Sequence, residues 1–140
     1  MIKIFKFLYT IFSKFYFKIT YRTLKKSSKS REELKQIWKK NINKIFSEVD
    51  KFEEDSGYLI DQNFFHELAF KTQVVDKTNN KVSYAHGRLL YSCIRKYCKE
   101  HSIKQINILE TGTARGFSSV CMAKALEDHN ISGKIITLDI

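Results

Sequence analysis

Apolar side chains recur at helical spacing through the middle of the chain. Ser30 and Glu33 form an S-x-x-E capping box, and the apolar positions that follow continue up to Gly57. These positions are Leu34, Ile37, Trp38, Ile42, Ile45, Val49 and Phe52. The pattern predicts one long amphipathic helix from Ser30 to Gly57.

Two further helices are predicted after Gly57. The first opens near Asp61, with Phe64, Phe65 and Leu68 facing inward, and ends before a turn at residues 78–80. Ser83 can cap the second helix, which ends between Lys99 and Ser102. Its apolar stripe consists of Leu89, Leu90, Cys93, Ile94 and Tyr97. Residues 31–82 are therefore expected to be a helical region.

A short apolar run then changes the pattern from helix to strand. Residues 106–109 are too few for a helix and are rich in β-branched side chains, which favours a buried strand. Gly112 and Gly116 follow, and glycine allows the backbone to turn sharply and to approach a ligand closely. A helix is predicted to begin at Phe117 or Ser118, with its N–H groups pointing at whatever the loop holds.

A second strand completes the unit. Ser132 and Gly133 are predicted to form a turn, and residues 134–139 an apolar strand that ends in the carboxylate of Asp139. The order strand, helix, strand predicts a parallel pair joined by a right-handed crossover. The fold class is therefore α/β, a β-α-β unit preceded by a mainly helical N-terminal region.

Residues 1–30 have a different character. Residues 2–21 hold eight aromatic side chains interleaved with lysine, and Lys3, Lys6, Lys14 and Lys18 fall on one helical face. The lysines interrupt the apolar run, so neither a membrane-spanning helix nor a signal peptide is favoured. An amphipathic helix with these two faces can lie on an anionic membrane surface or dock on protein, and both interpretations stay open.

Charge distinguishes residues 1–31 from the body of the chain, residues 32–140. The 140-residue chain has a net charge of +10, but residues 1–31 carry nine Lys or Arg and no acid, which leaves 16 basic and 15 acidic residues beyond them. A near-neutral body argues against a nucleic-acid partner. Cys93, Cys98 and Cys121 lack metal-site spacing and fit buried thiols in a reducing cytoplasm. No metal site is predicted, since His66 and His86 have no second ligand three or four positions away.

The chemistry of the glycine loop distinguishes two cofactor classes. A dinucleotide loop needs G-x-G-x-x-G, whereas this chain has only G-x-x-x-G. Glu110 would repel a pyrophosphate but suits a ligand with an ammonium and a sulfonium charge. Asp139 can accept hydrogen bonds from a ribose diol. These features favour S-adenosylmethionine over NAD.

The motif Glu110-x-Gly112-Thr113-x-x-Gly116-x-Ser118, followed by Gly133 to Asp139, resembles the first two motifs of class I S-adenosylmethionine-dependent methyltransferases. The resemblance covers residues 83–140. This form of the motif is similar to the variant in small-molecule O-methyltransferases, although Ala114 replaces the middle glycine of the fuller motif. It implies a Rossmann-like domain in which the loop lines the methionine part of the cofactor and Asp139 holds the ribose. The implied cofactor-binding residues are Glu110, Gly112, Thr113, Ala114, Arg115, Gly116, Ser118 and Asp139.

The resemblance implies an enzyme that methylates a small molecule or a glycan precursor. The cysteines predict a cytoplasmic location, and contact with the membrane surface is one of the two interpretations of the helix predicted for residues 2–21. The family sheet has seven strands and two are present, so we expect an N-terminal portion that is inactive alone, with no assignable catalytic residue. With one strand edge and one sheet face uncovered, we also expect the chain to associate. Two alternatives remain: a non-catalytic membrane- or partner-binding helical module with a relic loop, and a β-α turn with no ligand or with a different nucleotide. A third, an NAD-type dehydrogenase fragment, is disfavoured by Glu110 and the missing glycine.

Overall fold

A computed structural model describes residues 28–75, 78 and 81–139 of the chain. The amphipathic helix predicted for residues 2–21 lies outside the described residues. The chain divides into two units between residues 30 and 31, and the second unit begins at Arg31. In the second unit, the described residues form a mixed α/β structure of five helices and two strands. These are α1 (Arg31–Lys39), α2 (Ser47–Ser56), α3 (Gln62–Gln73), α4 (Ala85–Glu100), β1 (Gln105–Thr111), α5 (Phe117–Asp128) and β2 (Ser132–Leu138).

The predicted long helix is wrong, because the chain forms two helices, α1 and α2, separated by a turn. The turn is organised by Asn41, which is fully buried. Its side-chain amide donates to the Ile37 carbonyl at 2.7 Å, and its side-chain oxygen accepts from the Val82 N–H at 3.1 Å. The bond to Val82 joins positions that are distant in the chain, so periodicity alone does not reveal it.

The helix α3 begins as predicted. Asp61 is its N-cap, and the carboxylate accepts a hydrogen bond from the Phe64 N–H at 2.7 Å. The cap predicted for α4 is wrong, since Tyr84 rather than Ser83 precedes the helix and no side chain caps it.

The predicted apolar stripe of α4 is also partly wrong. Leu89 and Tyr97 are 37% and 50% exposed, whereas Gly87, Tyr91, Ser92 and Cys98 are buried. A Cβ atom at Gly87 would lie 2.6 Å from Phe117 Cζ, so the glycine lets α4 and α5 approach closely. The Ser92 hydroxyl donates to the Tyr58 carbonyl at 2.7 Å. The buried face of α4 therefore uses small and hydrogen-bonded residues in place of leucine.

The strands β1 and β2 are parallel, as predicted, with Ile108 opposite Ile135 and Thr111 opposite Leu138. The turn predicted at Ser132 and Gly133 is wrong, because both residues belong to β2. The chain turns earlier, at Asn130, whose φ is 53° and whose N–H donates to the Glu127 carbonyl at 3.0 Å.

The sheet has one covered and one open face. Ile106, Ile108 and Ile135 are partly buried against the helices. On the opposite face, Leu109, Ile136 and Leu138 are 66%, 53% and 55% exposed. The strand predicted to be buried is therefore buried on one face only, and the sheet face predicted to be uncovered is exposed.

The main core lies between the helices. Phe65, Tyr84, Tyr91 and Phe117 are at most 2% exposed. Phe65 touches both Tyr84 and Phe117, at ring distances of 5.9 and 5.7 Å. This aromatic cluster joins the helical region to the start of α5, and it thereby fixes where the glycine loop ends.

Candidate functional site

The glycine loop connects the end of β1 to the start of α5. Three of its five residues have a left-handed backbone, with φ of 82° at Gly112, 47° at Ala114 and 76° at Gly116. Glycine adopts this conformation without steric cost, whereas alanine does not. The structure thus gives Ala114 the backbone conformation usual for glycine, at the position where the fuller motif has its middle glycine.

Two backbone hydrogen bonds hold the loop in place. The Gly112 N–H donates to the Leu138 carbonyl at 2.7 Å, and the Gly116 N–H donates to the Thr113 carbonyl at 2.8 Å. The first bond ties the loop to the end of β2, immediately before Asp139. Asp139, the residue predicted to bind the ribose, therefore lies at the same end of the sheet as the loop, and it is exposed.

The N-terminus of α5 faces the loop. Its cap is Gly116, which offers no side-chain hydrogen bond, and the Val120 N–H is bonded to the Gly116 carbonyl at 3.0 Å. The first N–H groups of a helix carry a partial positive charge and are available to a ligand. A Cβ atom at Gly112 or Gly116 would meet nothing within 4 Å, so the space beside both glycines is open.

Glu110 is bound by two hydroxyl groups from the first turn of α5. Ser118 donates to one carboxylate oxygen and Ser119 to the other. Hydroxyl donors leave the negative charge of the carboxylate in place while fixing its direction. Ser119 was missed from sequence, although its position one residue after a predicted site serine was a usable signal.

The remaining predicted residues differ in exposure. Thr113 is half-buried within the loop, and Arg115 is exposed at its outer side. The loop therefore brings together the residues predicted at its own positions, with Glu110 beneath it and Asp139 beside it.

His86 is a second neighbour of the site that the sequence did not reveal. Its ring meets the Phe117 ring edge-on at a centroid distance of 5.0 Å. Partial desolvation lowers the pKa of His86, whose side chain is still exposed, below its usual value, and the carboxylate of Glu110 opposes that shift. An isolated histidine on a helix gives no local signal of this placement, which depends on the packing of α4 against α5.

The three cysteine thiols in the described part of the chain are unsuited to catalysis. Burial raises the pKa of Cys121 to about 12 and also raises the pKa values of Cys93 and Cys98, so these thiols are poor nucleophiles. No group of three or more potential metal ligands occurs among residues 28–75, 78 and 81–139. Within the same residues, no helix has both the length and the apolarity needed to cross a bilayer.

Comparison of the chain with protein-family models, with curated proteins and with solved structures finds no match.

Proposed function

We propose that residues 83–140 are the S-adenosylmethionine-binding part of a methyltransferase with a Rossmann-like fold. The observation that carries this proposal is the loop geometry: three left-handed residues at the carboxyl end of a parallel strand, followed directly by a helix N-terminus. Ligands of open α/β sheets bind at this end of the strands.

The residues around the loop fit the charge of this cofactor. The methionine part would lie along residues 112–116, whose glycines leave open space. Glu110, held by Ser118 and Ser119, would face a ligand that carries positive charge, and Asp139 would accept from the ribose hydroxyls. When bound, S-adenosylmethionine supplies an electrophilic methyl group on its sulfonium sulfur. The proposed acceptor is a small molecule or a glycan precursor.

The same features disfavour a dinucleotide. A pyrophosphate needs a glycine-rich loop of a different spacing, and it would meet the negative charge of Glu110 at the mouth of the loop. The proposal therefore predicts that S-adenosylmethionine binds more tightly than NAD.

The proposal can be tested by NMR on the full chain labelled with ¹⁵N. Added S-adenosylmethionine should shift the amide signals of residues 112–118 in a saturable way, and NAD should not at the same concentration. Replacing Gly112 by valine should abolish the shifts, because a β-branched side chain disfavours a φ of 82°.

Gly57 offers a matched control. It also has a left-handed φ, 72°, and open space around it, but it ends α2 and is not part of the loop. Gly57→Val should cost similar backbone strain and retain the S-adenosylmethionine shifts. Equal loss of binding in both variants, or stronger shifts with NAD, would refute the proposal.

A further inference from the structure

A cleft of about 260 Å³ lies between α1 and α3, separate from the glycine loop. It is lined by Lys35, Trp38, Lys39, His66, Glu67 and Phe70. Trp38, Phe70 and His66 form its aromatic part, with Trp38 ring distances of 5.9 Å to His66 and 6.4 Å to Phe70. This volume is just below the range of ligand pockets, about 300 to 1,000 Å³, and suits one aromatic ring.

The charged side chains around the cleft differ in whether they have an ion-pair partner. Lys35 is paired with Glu32 at 2.9 Å, and Glu67 is paired with Lys71 at 2.5 Å. Within the described part of the chain, Lys39 forms no ion pair with an acidic side chain. Lys39 is exposed, whereas Trp38 is 9% exposed. One positive charge is therefore left at the rim of an aromatic cleft.

His66 does not add a second charge at neutral pH. Burial, together with the positive charge of Arg88, lowers the pKa of its imidazole below the usual value. The neutral ring therefore serves as a third flat surface beside Trp38 and Phe70.

We propose that this cleft binds a planar aromatic ring that carries an anionic group. The ring packs against Trp38, Phe70 and His66, and the anion pairs with Lys39. Aromatic rings prefer edge-to-face and offset contacts at centroid distances of about 4.5 to 7 Å, and a guest ring in the cleft would meet the lining rings in this range.

Lys39 selects for the charge of the guest, and the rings select for its shape. A neutral aromatic ligand lacks the ion pair, and an aliphatic anion lacks the ring contacts. The two requirements together distinguish this site from a general apolar depression on the surface.

Benzoate is a suitable probe because Trp38 is the only tryptophan in the chain. Benzoate titrated into the full chain should change the tryptophan fluorescence saturably, with a dissociation constant below about 10 mM. Benzyl alcohol and acetate, which each lack one of the two features, should bind more weakly. Equal binding of benzoate and benzyl alcohol, or no saturable change with benzoate, would overturn the proposal.

Lys39→Ala should weaken benzoate binding about two- to fivefold, the range expected for a single exposed ion pair. Lys40→Ala is the matched control, since Lys40 is the next residue, is also exposed and does not line the cleft. Equal effects of the two variants would show attraction to the overall charge of the protein instead of a site.

A third variant tests the ring contacts. Phe70→Leu keeps an apolar side chain of similar size and should weaken benzoate binding while the protein remains folded. The His66 ring protons, followed by NMR, provide a second readout that does not depend on tryptophan. Benzoate shifts of these protons that persist unchanged in Phe70→Leu would contradict the proposed position of the ring.

Discussion

At the scale of single residues, Ala114 has a backbone conformation that its side chain disfavours. Ala114 has a φ of 47°, and in the sequence it lies between two left-handed glycines, Gly112 and Gly116. For a residue with a Cβ, this conformation costs roughly 1 to 2 kcal/mol. The loop therefore contains local strain at one identifiable position.

Replacing Ala114 by glycine should relieve that strain. Because glycine also gains freedom in the unfolded chain, we expect a net rise in the free energy of unfolding of about 0.5 to 1 kcal/mol, measured by urea denaturation. Ala123→Gly is the control, because Ala123 is an exposed residue within α5. There the same substitution should lower stability by about 1 kcal/mol. A loss of stability in both variants would contradict the interpretation of Ala114.

Two partly desolvated histidines predict a pH dependence of folding: His66, which is half-buried, and His86, which is exposed but packs against Phe117. The pKa values of His66 and His86 are lowered, in both cases chiefly by desolvation, so the folded state favours their neutral forms. In the unfolded chain these histidines protonate near pH 6.5. The stability that they contribute is thus present above about pH 6.5 and is lost as the pH falls below it.

We therefore expect the urea midpoint to fall between pH 7.5 and pH 5.5, with the decrease reduced in His86→Gln. His101→Gln serves as the control, because His101 follows α4 and its ring contacts Tyr97 instead of Phe117. It should retain the pH dependence of the original chain. A pH profile that His86→Gln leaves unchanged would contradict the prediction.

At the scale of elements, Gly133 determines how closely β2 approaches β1. A Cβ atom at this position would lie 1.9 Å from the carbonyl oxygen of Ile106. The contact is with backbone, which cannot rotate aside as a side chain can. We expect Gly133→Ala to lower the free energy of unfolding by about 3 kcal/mol.

Ser132→Ala is the corresponding control. Ser132 is the exposed neighbour on the same strand, and its N–H bond to the Lys104 carbonyl does not involve the side chain. Its free energy of unfolding should change by at most about 0.5 kcal/mol. Circular dichroism under increasing urea compares the two, and similar stabilities would show that the strands separate easily.

The element order was predictable because each signal is local. The Asp61 cap, the alternation of strand and helix after residue 100, and the start of α5 at Phe117 all follow from nearby residues. The break between α1 and α2 was not predictable, because it depends on the contact of Asn41 with Val82. The sharp turn of the backbone was expected at Gly112 and Gly116 because both are glycines, whereas the approach of His86 to Phe117 required the packed helices.

At the scale of the whole molecule, the open face of the sheet remains exposed to solvent in the described structure. Leu109, Ile136 and Leu138 form an apolar patch there. Exposed apolar patches next to unpaired strand edges favour association. The membrane contact of residues 2–21 stays a prediction, since those residues lie outside the described part of the chain.

We expect Ile136→Thr to reduce self-association, measured by static light scattering at increasing protein concentration. Threonine keeps the β-branched shape while removing apolar surface. Leu59→Thr is the control, because Leu59 is similarly exposed, at 59%, but lies between α2 and α3. If both variants associate equally, the sheet face is not the contact surface.

The hydrogen bond from the Gly112 N–H to the Leu138 carbonyl couples the loop to the pairing of the strands. A ligand that binds only the ordered loop shifts the equilibrium toward the paired strands, by an amount that grows with its concentration relative to its dissociation constant. The coupling is reciprocal, so a substitution that populates the unpaired state lowers the apparent affinity for the ligand in proportion to the fraction of molecules that remain paired. Strand pairing is in this sense an allosteric partner of the loop, and Gly133→Ala would act on binding without touching the ligand.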